Sequence, residues 1–175
     1  MKNFSGRALF LDRSDINTDE IIPARYLTEV SKTALKPYLL EDLRLERFDP
    51  KVDLDNKKVI ITRDNFGCGS SREHAAWALE VNGINLVIAE SFARIFKQNM
   101  FNCGMLAVEM PVKTIDYLFS MRGNAADVII KTDFVKSVFL VKIKNQKEEL
   151  DFSISGFNRA LINAGGWVEY ADLNY

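Results

Sequence analysis

Residues 59–81 read VIITRDNFGCGSSREHAAWALEV, and this stretch decides the fold. Val59–Thr62 is a run of β-branched residues, which is typical of a strand. A loop with two glycines follows, and Arg72–Val81 is rich in Ala and Leu up to Asn82 and Gly83, a usual helix stop. The stretch therefore predicts a strand, a glycine-containing loop and a helix in direct succession.

The next segments continue the same alternation. Leu86–Ala89 and Met105–Val108 predict two more strands, and Phe92–Phe101 predicts the helix between them. Strands that alternate with helices are the sequence form of βαβ units and a parallel sheet.

The last third of the chain has a different pattern. A run that begins at Val138 and the alternating segment Leu150–Ile154 predict two antiparallel strands around the polar turn Lys144–Lys147. Gly156–Ala164 predicts a helix, and Lys32–Arg44 predicts an earlier helix with a proline inside it. The fold class is therefore α/β with a mixed sheet.

The composition limits the class of protein. The chain has 175 residues, 47% of them hydrophobic, which predicts one domain over residues 1–175 with a packed core and excludes disorder. A net charge of -1 argues against a nucleic-acid binder, which needs a clustered basic surface. No run reaches 18 apolar residues and the first residues do not resemble a signal peptide, so we expect no membrane segment and a cytoplasmic location.

Cys68 and Cys103 are the only cysteines in the sequence, and His74 is the only histidine. A cubane iron–sulfur cluster is held mainly by Cys thiolates, and structural zinc usually takes four Cys or His ligands. We therefore expect no metal or cofactor to be bound by this chain alone. Cys68 and His74 also allow the hypothesis of a self-contained thiol enzyme, although a free cysteine is more often a small buried apolar side chain.

The loop before the helix at residues 72–81 offers an anion site. Backbone N–H groups and the positive end of the helix dipole meet there, and Arg72 adds a group that binds carboxylates and phosphates. Ser70 and Glu73 also fit a capping box with Ser70 as the N-cap. A nucleotide site fits poorly, because the dinucleotide motif needs a third glycine where Arg72 stands. A purely structural helix start and a carboxylate site both stay open on these grounds.

Three motifs resemble the swivelling domain of the aconitase superfamily. They are Asp15–Pro23, Gly67–His74 and Ala89–Phe96, with Asn99 after the third, and they stand in that family's order. The resemblance covers residues 6 to about 110. It implies a single swivelling domain of three-layer β/β/α architecture with a mixed sheet.

A chain this short is similar to a free-standing small subunit of that superfamily. The resemblance implies that a separate large subunit carries a [4Fe-4S] cluster, and that the pair is a hydro-lyase that moves a hydroxyl between adjacent carbons of a substituted malate. It also implies Ser70 as the base, Arg72 as the group that holds a substrate carboxylate, Asp19 as a supporting active-site aspartate, and Ser71 as a hydrogen-bonding neighbour.

The segment after Pro23 departs from the family pattern. Archaeal-type relatives resemble Tyr-Leu-Arg-Thr there, whereas this chain has Tyr26, Leu27 and Thr28, so the arginine is missing at Thr28. We expect these three residues to face the substrate's variable group, with Arg25 as a substitute for the missing arginine. Isopropylmalate is the expected substrate. Citramalate, 2,3-dimethylmalate and homoaconitate stay open, as does a non-catalytic anion-binding module of the same fold.

Overall fold

The structure, a computed structural model, describes residues 1–124 and 127–175. Over these ranges the strands join into one sheet. In chain order they are β1 (Gly6–Leu11), β2 (Lys57–Thr62), β3 (Leu86–Ala89), β4 (Leu106–Glu109), β5 (Val128–Asp133), β6 (Val138–Ile143) and β7 (Gln146–Asp151). Their spatial order is β4-β3-β2-β1-β5-β6-β7.

Helices connect most of the strands. The α-helices are α1 (Thr18–Ile21), α2 (Pro50–Asp53), α3 (Glu73–Val81), α4 (Arg94–Asn102), α5 (Val112–Arg122), α6 (Gly156–Ala164) and α7 (Trp167–Asn174), and two 3-10 helices cover Ala24–Tyr26 and Lys32–Tyr38.

Strands β1 to β4 form the parallel half of the sheet. β2 pairs in parallel with β1 on one side and with β3 on the other, with Ile60 opposite Leu9 and Val87. Ile60 and Val87 are fully buried, which suits a parallel sheet covered on both faces. Helix α3 crosses from β2 to β3 and α4 crosses from β3 to β4, so the predicted βαβ alternation is confirmed.

Strands β5 to β7 form the antiparallel half. β5 pairs with β1 in the antiparallel sense, with Ile129 opposite Arg7, and β6 pairs with both β5 and β7. The mixed sheet is therefore confirmed, and so is the hairpin. The prediction placed the second hairpin strand at Leu150–Ile154, whereas β7 covers Gln146–Asp151 and ends where its pairing with β6 ends, with Asp151 opposite Val138.

One cluster of buried apolar side chains runs from Phe4 to Ile162 and joins both halves of the sheet. The helix predicted over Lys32–Arg44 is instead a 3-10 helix that ends at Tyr38, because Pro37 has no N–H for an α-helical ladder. Within the described ranges no helix is long and apolar enough to cross a membrane.

The parallel half places three loops at one edge of the sheet. β1, β2 and β3 run in the same direction, so the segments that follow them, residues 12–17, 63–72 and 90–93, leave from the same side. The carboxyl edge of parallel strands is where open α/β sheets bind ligands.

Candidate functional site

Backbone hydrogen bonds tie the first two of these loops together. The Gly67 N–H donates to the Ile16 carbonyl at 2.8 Å, and the Thr18 N–H donates to the Cys68 carbonyl at 2.9 Å. Asn17 and Cys68 form a parallel bridge between the same segments. Segments far apart in the chain are therefore held in register beside each other.

The third loop is tied to the other side of residues 63–72. The Phe66 N–H donates to the Ser91 carbonyl at 3.1 Å, and the Ala93 N–H donates to the Phe66 carbonyl at 3.0 Å. Gly67 has φ +80°, and a Cβ there would lie 2.2 Å from Cγ of Phe96. Only glycine lets the loop pass this close to α4.

Ser70 and Ser71 are exposed just ahead of α3. The capping box predicted with Ser70 as the N-cap is wrong, because α3 begins at Glu73 with Arg72 as its N-cap and without a side-chain cap. Gly69 has φ +91° and Arg72 has an extended backbone, so the chain turns into the helix later than the motif suggests. The Ser70 hydroxyl is therefore left out of the helix cap.

Arg72 and Asp19 form an ion pair in which Nη1 of Arg72 donates to Oδ1 of Asp19. The Arg72 side chain is 24% exposed and that of Asp19 is 58% exposed. Asp19 sits in the first turn of α1, which a capping box holds: the Glu20 N–H donates to Asn17 Oδ1, and the Asn17 N–H donates to the Glu20 carboxylate, both at 3.0 Å. The structure thus brings together two of the predicted catalytic residues, one from the first turn of α1 and one from the N-cap of α3.

A cavity of about 230 Å³ lies between the loop before α3 and the start of α4. Its lining residues are Gly67, Gly69, Ser70, Ser71, Ala93, Arg94, Ile95 and Phe96. The Asn99 side-chain amide donates to the Ser71 carbonyl at 3.5 Å, which links α4 to the serine pair. α3 and α4 begin near this cavity, and neither helix has a side-chain hydrogen bond at its N-cap.

The segment from Arg25 to Thr28 lies apart from this cavity, and none of its four residues is among the described lining residues. Arg25 donates to both carboxylate oxygens of Asp42, at 2.8 and 3.0 Å, and to Glu41 at 2.9 Å. Its hydrogen bonds to Asp42 are the main cause of the raised pKa of Arg25. The guanidinium is therefore already engaged by two acids.

The other three residues of this segment differ in exposure. The Tyr26 ring stacks on Tyr38 with centroids 3.7 Å apart. Leu27 is half-buried, and Thr28 is exposed. This places Thr28 at the surface, where the family pattern has an arginine.

The two thiols do not have the surroundings of a nucleophile or a cluster ligand. Burial raises the pKa of the Cys68 thiol, and the nearby Asp15 raises it further. Burial also raises the pKa of Cys103, to about 11. In the described parts of the chain no group of three or more His, Cys, Asp or Glu is placed to hold a metal ion, so the residues present do not fit an iron–sulfur cluster.

Sequence reasoning did not place Arg94 and Ile95 at the site, although both lie in the third family motif and line the cavity with Ser70 and Ser71. Their signal was available, since they open a helix directly after a parallel strand and so lie at the same sheet edge as Ser70. It also missed Thr18, which is 1% exposed and has a hydroxyl without a hydrogen-bond partner among the described residues. Its burial depends on contacts between distant segments, which the sequence does not display.

The carboxyl edge of the parallel strands thus carries two exposed serines and an Arg–Asp ion pair. Residues 1–113 match the aconitase C-terminal domain family, and the chain belongs to this family.

Its relatives within the family carry a more particular name. The 3-isopropylmalate dehydratase small subunit of Pseudoalteromonas translucida is 41% identical over 138 residues, which cover 74% of this chain and 69% of the relative. That of Leptospira interrogans is 39% identical over 148 residues, 76% of this chain and 72% of the relative.

A solved structure agrees with these sequence relatives. The 3-isopropylmalate dehydratase (LeuD) of Methanocaldococcus jannaschii superposes with a TM-score of 0.77 at 31% identity, covering 97% of this chain and 93% of that one. The family resemblance carried by the three motifs is therefore confirmed.

Proposed function

We propose that this chain is the small subunit of a 3-isopropylmalate dehydratase, a hydro-lyase that interconverts 2-isopropylmalate and 3-isopropylmalate in leucine biosynthesis. The named relatives and the superposed structure support the activity. The observation that carries it onto this chain's residues is the Arg72–Asp19 pair beside exposed Ser70. We further propose that residues 1–175 form one swivelling domain and that the enzyme is cytoplasmic.

The catalytic site is completed by a large subunit that carries a [4Fe-4S] cluster. The cavity beside Ser70 holds about 230 Å³, whereas complete ligand pockets usually hold about 300–1,000 Å³. A partial site of this size is expected when a second chain closes it. When bound in the partner, the cluster supplies a Lewis acid for the departing hydroxyl.

Ser70 is the base in this proposal. Its Oγ, as the alkoxide, takes the proton from the substrate carbon next to the one that bears the hydroxyl. The electron pair of that C–H bond then forms the C=C bond, and the hydroxyl leaves with the electron pair of its own bond. Rehydration of the alkene at the other carbon gives the isomer. An alkoxide needs strong local stabilisation, which the uncapped start of α3 and the Arg72 guanidinium supply.

Arg72 holds a substrate carboxylate, and Asp19 orients Arg72 through their ion pair. Ser71 gives a hydrogen bond to the substrate from its hydroxyl or its N–H. Because the two loops are tied by backbone hydrogen bonds, these groups are positioned before substrate arrives.

Arg25, Tyr26, Leu27 and Thr28 face the variable group of the substrate in this proposal. To reach a substrate carboxylate, Arg25 would have to exchange its present partners Asp42 and Glu41.

The test is anaerobic reconstitution with the large subunit. The unsaturated diacid is followed by its ultraviolet absorbance while isopropylmalate, citramalate, 2,3-dimethylmalate and homoaconitate are offered. We expect turnover of isopropylmalate that needs both chains. Ser70→Ala is expected to abolish turnover, because it removes the oxygen that takes the proton.

Ser120→Ala is the matched control, since Ser120 is exposed on α5, outside the site loops. It should keep wild-type turnover. Near-normal turnover by Ser70→Ala in a formed complex would show that another group is the base. A formed complex with an intact cluster that turns over none of the four substrates would favour a non-catalytic anion-binding module.

A further inference from the structure

We propose that Ile95 is a specificity-determining residue that contacts the branched alkyl group of the substrate. This inference rests on the proposed function and adds Ile95, from helix α4, to the residues proposed to face the variable group of the substrate. The opposite wall of the same cavity carries Ser70 and Ser71.

The placement of Ile95 follows from how α4 is anchored. Phe96 is 2% exposed and packs against Gly67 and the edge of the Phe66 ring, with ring centroids 5.4 Å apart. The neighbouring residue Ile95 is left 49% exposed at the cavity. A β-branched side chain is stiff at χ1, so Ile95 offers a fixed apolar surface.

Ile95 also differs from other exposed apolar side chains. Among the exposed large apolar residues of the described ranges, it is the one that lines the cavity with the serines. Leu27, the apolar residue of the Arg25–Thr28 segment, is half-buried and does not line it.

The substrate, like the cavity, has a polar part and an apolar part. The carboxylates and the hydroxyl of isopropylmalate need charged and polar partners, whereas its isopropyl group needs apolar contact to leave water. Ser70, Ser71 and Arg94 line the cavity and suit the first requirement, and Ile95 suits the second.

The experiment measures selectivity for alkyl size in the reconstituted enzyme. The ratio of kcat/KM for 2-isopropylmalate to that for citramalate, which carries methyl in place of isopropyl, is measured for wild type and for Ile95→Ala. We expect the ratio to fall about tenfold or more, because each methylene in an apolar pocket is worth about 10–200-fold in discrimination. Val135→Ala, in an 88% exposed position on the turn between β5 and β6, should leave the ratio unchanged.

Two further measurements separate this role from a structural or interface role. The affinity of Ile95→Ala for the large subunit and its midpoint of urea unfolding should match those of wild type. The inference is overturned if Ile95→Ala loses kcat/KM equally on both substrates. It is also overturned if the selectivity ratio changes in Leu27→Ala but not in Ile95→Ala. The proposed function stands in both cases. A wild-type enzyme inactive on every malate overturns the proposed function and this inference with it.

Discussion

Ser70 stands at the end of a loop that is fixed from two sides. The Cys68 carbonyl accepts a hydrogen bond from the Thr18 N–H, and the Ser71 carbonyl accepts one from the Asn99 side chain. The backbone around the serine is thereby held while its hydroxyl stays exposed. Rigid support of an exposed reactive group is what catalytic preorganisation requires.

The stability of serine variants tests whether the Ser70 side chain caps α3. Ser155 caps α6 by accepting from the Asn158 N–H at 3.2 Å, whereas α3 has no side-chain cap. We expect Ser155→Ala to lower the free energy of unfolding by about 1 kcal/mol. Ser70→Ala should change it by less than about 0.5 kcal/mol. Urea unfolding measures both, and a loss of about 1 kcal/mol or more in Ser70→Ala would mean that it does cap the helix.

For single residues, the sequence indicated which positions lie at the site more accurately than which hydrogen bonds their side chains make. The pattern Ser70-x-x-Glu73 indicates a capping box, and that box does not form. The same kind of pattern at Asn17-x-x-Glu20 does form one and holds Asp19 in place. Local spacing is equal in the two cases, so contacts with distant segments decide between them.

Among the secondary-structure elements, the contact between the loop after β2 and helix α4 is the main packing feature of the site. Gly67 has no side chain, and the Phe96 ring fills the space where a Cβ would lie. Phe66 packs edge-on against both Phe96 and Phe92. The loop between β2 and α3 and the helix between β3 and β4 are therefore packed against each other beside the cavity.

Gly67→Ala should lower the free energy of unfolding by more than about 3 kcal/mol, since it combines a positive φ with a clash against a buried ring. Gly156→Ala is the matched control, because open space surrounds that position at the start of α6. It should be neutral or stabilise by up to about 1 kcal/mol. The measurement is urea unfolding monitored by circular dichroism, and equal stability of both variants would contradict the packing argument.

The elements that the sequence predicted best are those with continuous apolar runs. β2 and β3 are buried on both faces, and strands of this kind have continuous apolar runs that are easily recognised in a sequence. The polar strand β7, Gln146–Asp151, was misplaced toward Ile154, since an exposed edge strand has little apolar signal. The ion pair of Arg72 with Asp19 joins residues 53 positions apart and has no local signal at all.

For the molecule as a whole, the decisive property is that the site is open on one side. The Asp19 side chain of the ion pair with Arg72 is more than half exposed, and the cavity lined by Ser70 and Ser71 holds only about 230 Å³. Incomplete desolvation weakens the attraction between a guanidinium and a carboxylate ligand. Under the proposed function we therefore expect substrate affinity to rise when the large subunit closes the site.

The isolated chain should accordingly bind isopropylmalate weakly, with a Kd above about 1 mM, which corresponds to about -4 kcal/mol. Isothermal titration calorimetry of the chain alone and of the reconstituted complex measures the difference. Arg72→Ala in the complex serves as the control for site-specific binding. Micromolar affinity of the chain alone would indicate a self-sufficient anion-binding module.

The sheet also has a consequence for engineering. β1 pairs in parallel with β2 and in the antiparallel sense with β5, so the chemistry-bearing loops and the β6–β7 hairpin belong to different flanks. The hairpin turn at Lys144 and Asn145 is exposed and lies outside residues 1–113, the part of the chain that the family model matches. We therefore expect that a fluorophore or affinity peptide grafted at this turn labels the chain without disturbing the loops at the carboxyl edge of the parallel strands.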